Sequence, residues 1–140
     1  MSTLLGNLKL YLLLSLSLRL LRKAQRNSER VRVLMRQEDF VFQIQTMRGA
    51  GGHFALCRGA MSLKYRLHPN PDLVQIWVSG NDAFRIMTSS DETDMLRAVD
   101  EGQCRMQGNF LIALWFNEVM KIARGRDSKQ IAAFLSASKT

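Results

Sequence analysis

Phe40-Val41-Phe42-Gln43-Ile44-Gln45 places Phe40, Phe42 and Ile44 on alternate positions, and Gly49-Ala50-Gly51-Gly52 follows a few residues later. A period of two is that of a strand covered on one face, and the glycines supply the turn of a hairpin. His53 to Arg58 forms the return strand and Gly59 breaks it. Met61, Leu63, Tyr65 and Leu67 then alternate with Ser62, Lys64 and Arg66 as a third strand, which His68-Pro69-Asn70-Pro71 ends. Val74, Ile76 and Val78 make a fourth, stopped by Ser79-Gly80-Asn81. These readings predict four antiparallel strands with one apolar face each.

Downstream the period lengthens. Asp82 to Thr88 reads as a short helix entered through Ser79 or Asn81. Asp91 to Asp100 reads as a second, capped by Ser89 or Ser90 and ended near Gly102. Gln103 to Gln107, with Cys104 and Met106 on alternate positions, suits a fifth strand. Gly108-Asn109 opens a helix in which Phe110, Leu111, Leu114, Trp115 and Ile122 recur at helical spacing, and Asp127 to Ala137 suits a last one. Strands first and helices after them specify an α+β fold, with the helices gathered on one face of the sheet. A chain of 140 residues is long enough for one core, burying roughly 70% of the surface its unfolded form exposes.

Upstream, residues 1–36 form a basic, leucine-rich arm distinct from the body at 37–140. Eight cations stand there against the single anion Glu29, whereas the remaining twelve cations meet eleven carboxylates, so the formal net charge of +8 is nearly all in the arm. The run Leu10-Tyr11-Leu12-Leu13-Leu14-Ser15-Leu16-Ser17-Leu18 is bounded by Lys9 and Arg19, about half of what a membrane span requires. No cation precedes it and no small-residue cleavage pattern follows it, which disfavours a secretory signal and predicts a cytoplasmic protein. At 100° per residue Arg19, Arg22, Lys23, Arg26 and Arg30 share one stripe, with Leu20, Leu21, Ala24, Val31 and Met35 opposite. Such a helix suits docking on an anionic membrane, through Lys9 and those cations together with Leu12, Leu13 and Leu16. It equally suits the solvated face of a packed helix. Asn27-Ser28-Glu29 offers a cap at which a second helix would break the stripe.

The stretch from Val74 to Met120 resembles the sterol carrier protein type-2 family. The strand ending in Ser79, the short helix carrying Asp82 and Phe84, and Gly102-Gln103-Cys104-Arg105-Met106-Gln107-Gly108-Asn109 leading into an apolar helix carry the likeness. The hairpin from Phe40 to Arg58 extends it loosely, to about residues 38–124, and Thr88-Ser89-Ser90 departs from the glycine-containing turn of many relatives. The resemblance implies a five-stranded, mainly antiparallel sheet whose helices enclose an apolar cavity for an acyl chain, isoprenoid or sterol-like ligand, and no catalytic residue. The lining residues it implies are Phe40, Phe42, Ile44, Phe84, Met87, Leu96, Met106, Phe110 and Leu114. Some bacterial relatives assist ubiquinone synthesis. The chain closes with Ala137-Ser138-Lys139-Thr140, without the peroxisomal Ser-Lys-Leu ending.

Enzyme signals are thin. Two cysteines, Cys57 and Cys104, make no disulfide framework and fit a reducing compartment. His53 and Cys57, four apart on a strand, are about 13 Å from each other, too far for a nucleophile and its base. Neither the cysteines nor His53 and His68 show zinc spacing, so no metal or other cofactor is expected. The acids of Asp91-Glu92-Thr93-Asp94 suit a helix start, where the macrodipole favours negative charge. No phosphate-binding loop follows Gly49-Ala50-Gly51-Gly52. Only the arm could meet nucleic-acid phosphates, without sequence specificity. The expectation is therefore a non-catalytic lipid-handling protein on an anionic membrane surface. The alternative is a scaffold with a packed core, whose arm serves oligomerisation or a partner protein.

Overall fold

The computed structural model describes residues 2–89, 91 and 93–124. The predicted helix at Asp127 to Ala137 lies outside them. The order is α1 (Ser2–Asn27), α2 (Glu29–Gln37), β1 (Phe40–Thr46), β2 (Gly51–Cys57), β3 (Ala60–Lys64), β4 (Leu73–Trp77), α3 (Gly80–Met87), α4 (Thr93–Asp100), β5 (Cys104–Gly108) and α5 (Phe110–Ala123). The strands form one sheet in the order β3-β2-β1-β4-β5. Three of its pairings are antiparallel, and β1 pairs with β4 in parallel. The expectation that the first four strands are all antiparallel is corrected here, because β3 and β4 flank the central hairpin and run the same way.

Parallel neighbours need a crossover, and this one has no helix. Residues 65–72 cross the outer face of the sheet, where the His53 Nδ1–H donates to the Arg66 carbonyl (2.8 Å) and the His68 N–H donates to Gln43 Oε1 (2.6 Å). Asp72 anchors the far end, its carboxylate accepting from Val41 N at 2.7 Å and its N–H donating to the Val41 carbonyl at 2.9 Å. This strap explains why Gln43 and His53, on the face away from the helices, are buried.

The helices cover the other face. Phe116 of α5 meets Phe42 edge-on at 5.0 Å and Phe54 at 5.4 Å, while Trp115 meets Phe40 at 4.9 Å and its indole N–H donates to the Leu34 carbonyl. The sequence reading of β4 is reversed: pairing puts Leu73, Gln75 and Trp77 on the helix side and Val74 and Ile76 outside. Either set is apolar enough, and the larger Trp77 takes the interior. Gln75 goes with it, buried and accepting from the Trp77 indole N–H at 2.8 Å, as a buried amide must.

The arm belongs to this core. Leu10, Leu13, Leu14 and Leu21 of α1 and Val31 and Met35 of α2 are buried in the same cluster as the sheet residues. The helix breaks at Ser28, whose hydroxyl accepts from Val31 N–H, so the cap turns the chain back toward β1. By length and composition Leu4–Asn27 could cross a membrane, with mean hydropathy 1.5 in its best window, but a third of that window is buried against the protein.

Candidate functional site

Caps place the remaining helices. Ser79 caps α3 by accepting from Asp82 N–H, so that helix starts at Gly80, two residues before the predicted start. Asn109 caps α5 through Leu111 N–H. Helix α4 opens at Thr93, not Asp91. The Asp91 carboxylate accepts from the Thr93 hydroxyl (2.7 Å) and N–H (3.0 Å), bonds that hold its carboxyl below the ordinary range. That is the work of a helix start rather than of an acid–base pair.

The nine predicted lining residues divide into three sets. Phe40, Phe42 and Ile44 point toward the helices and are fully buried in the closely packed core. Phe84, Met87 and Met106 are half-buried at its margin. Leu96, Phe110 and Leu114 are 72, 58 and 66% exposed, so they are surface residues here and not the wall of an enclosed cavity. The half-buried set extends to two residues the sequence reading missed, Met95 of α4 and Met120 of α5. Met106 sits opposite Gln75 on the helix side of β5, with α4 packed on the same strand. Helix α2 lies along the Trp115 and Glu118 side of α5, and Ala113 and Met120 stand half-buried on the opposite flank. An Arg124 to Met87 carbonyl bond of 3.1 Å ties the ends of α5 and α3 together. Met87, Met95, Met106 and Met120 thus stand half-buried against the core, one on each of α3, α4, β5 and α5, and methionine repacks at low cost around an irregular apolar guest.

Helix α1 carries a second feature. Leu4, Leu5, Leu8, Leu12 and Leu16 are all exposed, from 66% at Leu4 to 39% at Leu16, and share one outer face. Arg19, Arg22, Lys23 and Arg26 continue that face and are exposed, while Lys9 lies half-buried at its edge. Two predicted docking residues are displaced from it. Leu13 points inward, 3% exposed, and Arg30 stands on α2 beyond the break, where it pairs with Glu118 at 3.0 Å.

Groups suited to catalysis are dispersed. Burial pushes the Cys104 thiol up to about 12, which makes it a poor nucleophile. The structure does bring His53 and His68 together, with rings edge-on at 5.0 Å. Their Nδ1 atoms are engaged by the Arg66 carbonyl and the Asn70 N–H. Among the described residues no group of three or more His, Cys, Asp or Glu side chains could hold a metal ion.

No protein-family model matches the sequence, and no curated protein matches it. Solved structures do match. One described as a UbiJ-SCP2 ubiquinone synthesis protein has a TM-score of 0.59 at 12% identity, covering 75% of this chain and 90% of its own. The sterol carrier protein domain 2 of Helicoverpa armigera has a TM-score of 0.52 at 19% identity, covering 76% and 84%. The fold is that of the sterol carrier protein type-2 domain. The same fold covers 14% of a double mutant of the sec-alkyl sulfatase PisA1, at a TM-score of 0.50 and 12% identity over 66% of this chain. This sterol-carrier fold therefore occurs both as nearly a whole protein and as a small part of an enzyme, and its presence alone carries no chemistry.

Proposed function

We propose that the protein is a non-catalytic carrier of an apolar small molecule, an acyl chain, isoprenoid or sterol-like lipid, that works as a peripheral protein at the cytoplasmic surface of an anionic membrane. The sterol-carrier fold supports the ligand class, and the name of the ubiquinone synthesis neighbour suggests an accessory role in isoprenoid-quinone or lipid metabolism. The observation that carries the membrane reading is the outer face of α1, five exposed leucines followed by four exposed cations. Exposed apolar stripes of that length mark interaction surfaces. Leucines entering the interface and cations meeting lipid headgroups, at about 1 kcal/mol each, fit that division. The ligand enters at the methionine margin around Met106 and displaces side chains toward Phe42 and Phe84.

Native mass spectrometry and lipid extraction of the purified protein test the carrier reading. A stoichiometric apolar ligand is expected, and a protein that stays empty and takes up no acyl or isoprenoid probe rejects it. For the membrane, Leu8→Gln/Leu12→Gln is expected to cut co-sedimentation with anionic vesicles by at least tenfold while the protein still melts cooperatively, since more than half of each side chain is already in water and glutamine is nearly as good a helix former as leucine. Unchanged binding would refute docking through α1. The tight ring packing of Phe40, Phe42 and Phe116 favours the second reading, a scaffold with a solid core whose leucine face meets a partner protein or a second copy.

A further inference from the structure

Phe110, Leu111 and Leu114, at the start of α5, are each more than half exposed. At 100° per residue they fall within about 100° of one another, opposite the buried flank of Ile112, Phe116 and Val119. One exposed leucine needs no explanation, but three large apolar side chains on adjoining positions form a patch of the kind that marks an interaction surface.

The sheet sets the direction in which they point. Leu14 of α1 lies over Gly52, its Cδ1 3.1 Å from where a Cβ would stand there, and Phe116 of α5 meets the Phe54 ring at 5.4 Å. Gly52 and Phe54 are two apart on β2, so they share one face of the sheet roughly 7 Å from each other. Helices α1 and α5 are therefore neighbours on that face and touch each other. In each, the buried flank meets the sheet and the exposed flank is turned from it. The leucines Leu4, Leu5, Leu8, Leu12 and Leu16 of α1 and the patch on α5 consequently look out on the same side of the molecule. Cys57, exposed and on alternate positions of β2 with His53, marks the opposite side.

Electrostatics selects what the helix side meets. Helices α1, α2 and α5 carry nine lysines and arginines against two carboxylates, Glu29 and Glu118, and Glu118 is taken by Arg30 at 3.0 Å. A two-fold interface meets itself, so a second copy would set this excess of cations against its own like. Anionic lipid headgroups neutralise it, while the apolar side chains pass between them.

We infer that the start of α5 is a second membrane anchor: Phe110, Leu111 and Leu114 enter the interface of the same anionic bilayer as the leucines of α1. The helix layer then lies on the membrane, and the outer face of the sheet, with the strap and Cys57, is held away from it. This rests on the membrane reading above and extends it from one helix to a surface of defined orientation.

The test uses the full chain and vesicles of phosphatidylcholine with phosphatidylglycerol. Leu111→Gln/Leu114→Gln is expected to lower co-sedimentation about tenfold while the protein still melts cooperatively, because both side chains are already mostly in water and glutamine suits a helix nearly as well as leucine. Orientation is read separately with an environment-sensitive nitrobenzoxadiazole label, placed on the native Cys57 or, in a Cys57→Ser background, on Leu114→Cys. Cys104 is buried and is not labelled. On vesicles the label at position 114 is expected to shift its emission to the blue and to be quenched by lipids with a nitroxide on the acyl chain, whereas the label at position 57 keeps its aqueous spectrum. Unchanged binding by Leu111→Gln/Leu114→Gln, or a label at 114 that stays aqueous on vesicles, overturns the second anchor and leaves docking through α1 intact. An equal shift at position 57 overturns the orientation. Blue emission at 114 before any vesicle is added would assign the patch to a second copy or to another part of the chain, and overturns the proposal. An unaltered protein that binds no vesicle overturns the membrane reading and this anchor with it.

Discussion

A chain beginning at Gln37 is expected not to fold. Five side chains removed with residues 1–36, Leu10, Leu14, Leu21, Val31 and Met35, have no accessible surface in the native protein. At about 1.5–3 kcal/mol each, their burial contributes roughly 8–15 kcal/mol, which matches the whole net stability of an ordinary domain, about 5–15 kcal/mol. The deletion also strips α1 and α2 from β2, β3 and α5, against which they pack. Circular dichroism melts and amide spectra should show a collapsed chain without a cooperative transition. A truncated protein that melts cooperatively near the temperature of the full chain would refute the assignment of the arm to the core. The result also bears on membrane assays: loss of binding on truncation would report unfolding, and only substitutions on the outer face of α1 separate docking from stability.

The second large effect is at one of two glycines that face each other across the α1–α3 crossing. A Cβ on Gly80 would stand 2.0 Å from the Gly6 carbonyl oxygen and 2.6 Å from its carbon, both backbone atoms that cannot yield without parting the helices. Gly80→Ala is expected to destabilise by about 1–3 kcal/mol or more, as overpacking does, and to lower Tm by on the order of 10 °C. The reverse substitution behaves differently. A Cβ on Gly6 meets Asn81 N at 3.4 Å, an ordinary contact, and alanine outranks glycine in a helix interior by about 1 kcal/mol. Gly6→Ala should therefore be neutral or stabilising. Thermal melts of the two variants check the pair, and equal losses at both positions would mean that the helices do not cross as described.

Much of the architecture was legible before folding. The alternation through Phe40, Phe42 and Ile44, the glycine turn after it and the asparagine before Phe110 each act through local geometry, and each stands where it was read. The site was legible only in part. Phe40, Phe42 and Ile44 have the inward orientation their alternation implies, yet Leu96, Phe110 and Leu114, equally apolar and at helical spacing, face water. Periodicity says that a helix has an apolar stripe and not what lies against it. Met95 and Met120 share the half-buried position of Met87 and Met106, but they stand outside the apolar stripes read from the sequence.

The sequence by itself determined the element types, their order, the opening of the last helix at Gly108-Asn109 and the concentration of charge in residues 1–36, and it narrowed the entry to α3 to Ser79 or Asn81. Only the tertiary structure decided which side of β4 turns inward, that β4 runs parallel to β1, and that His53 meets His68 under the strap. It also divided the leucines of α1 between the core and the surface. In a run where nearly every position is leucine, transfer free energy is the same for each side chain. Which ones lose their water is set by the sheet and α3 packed against one side of the helix.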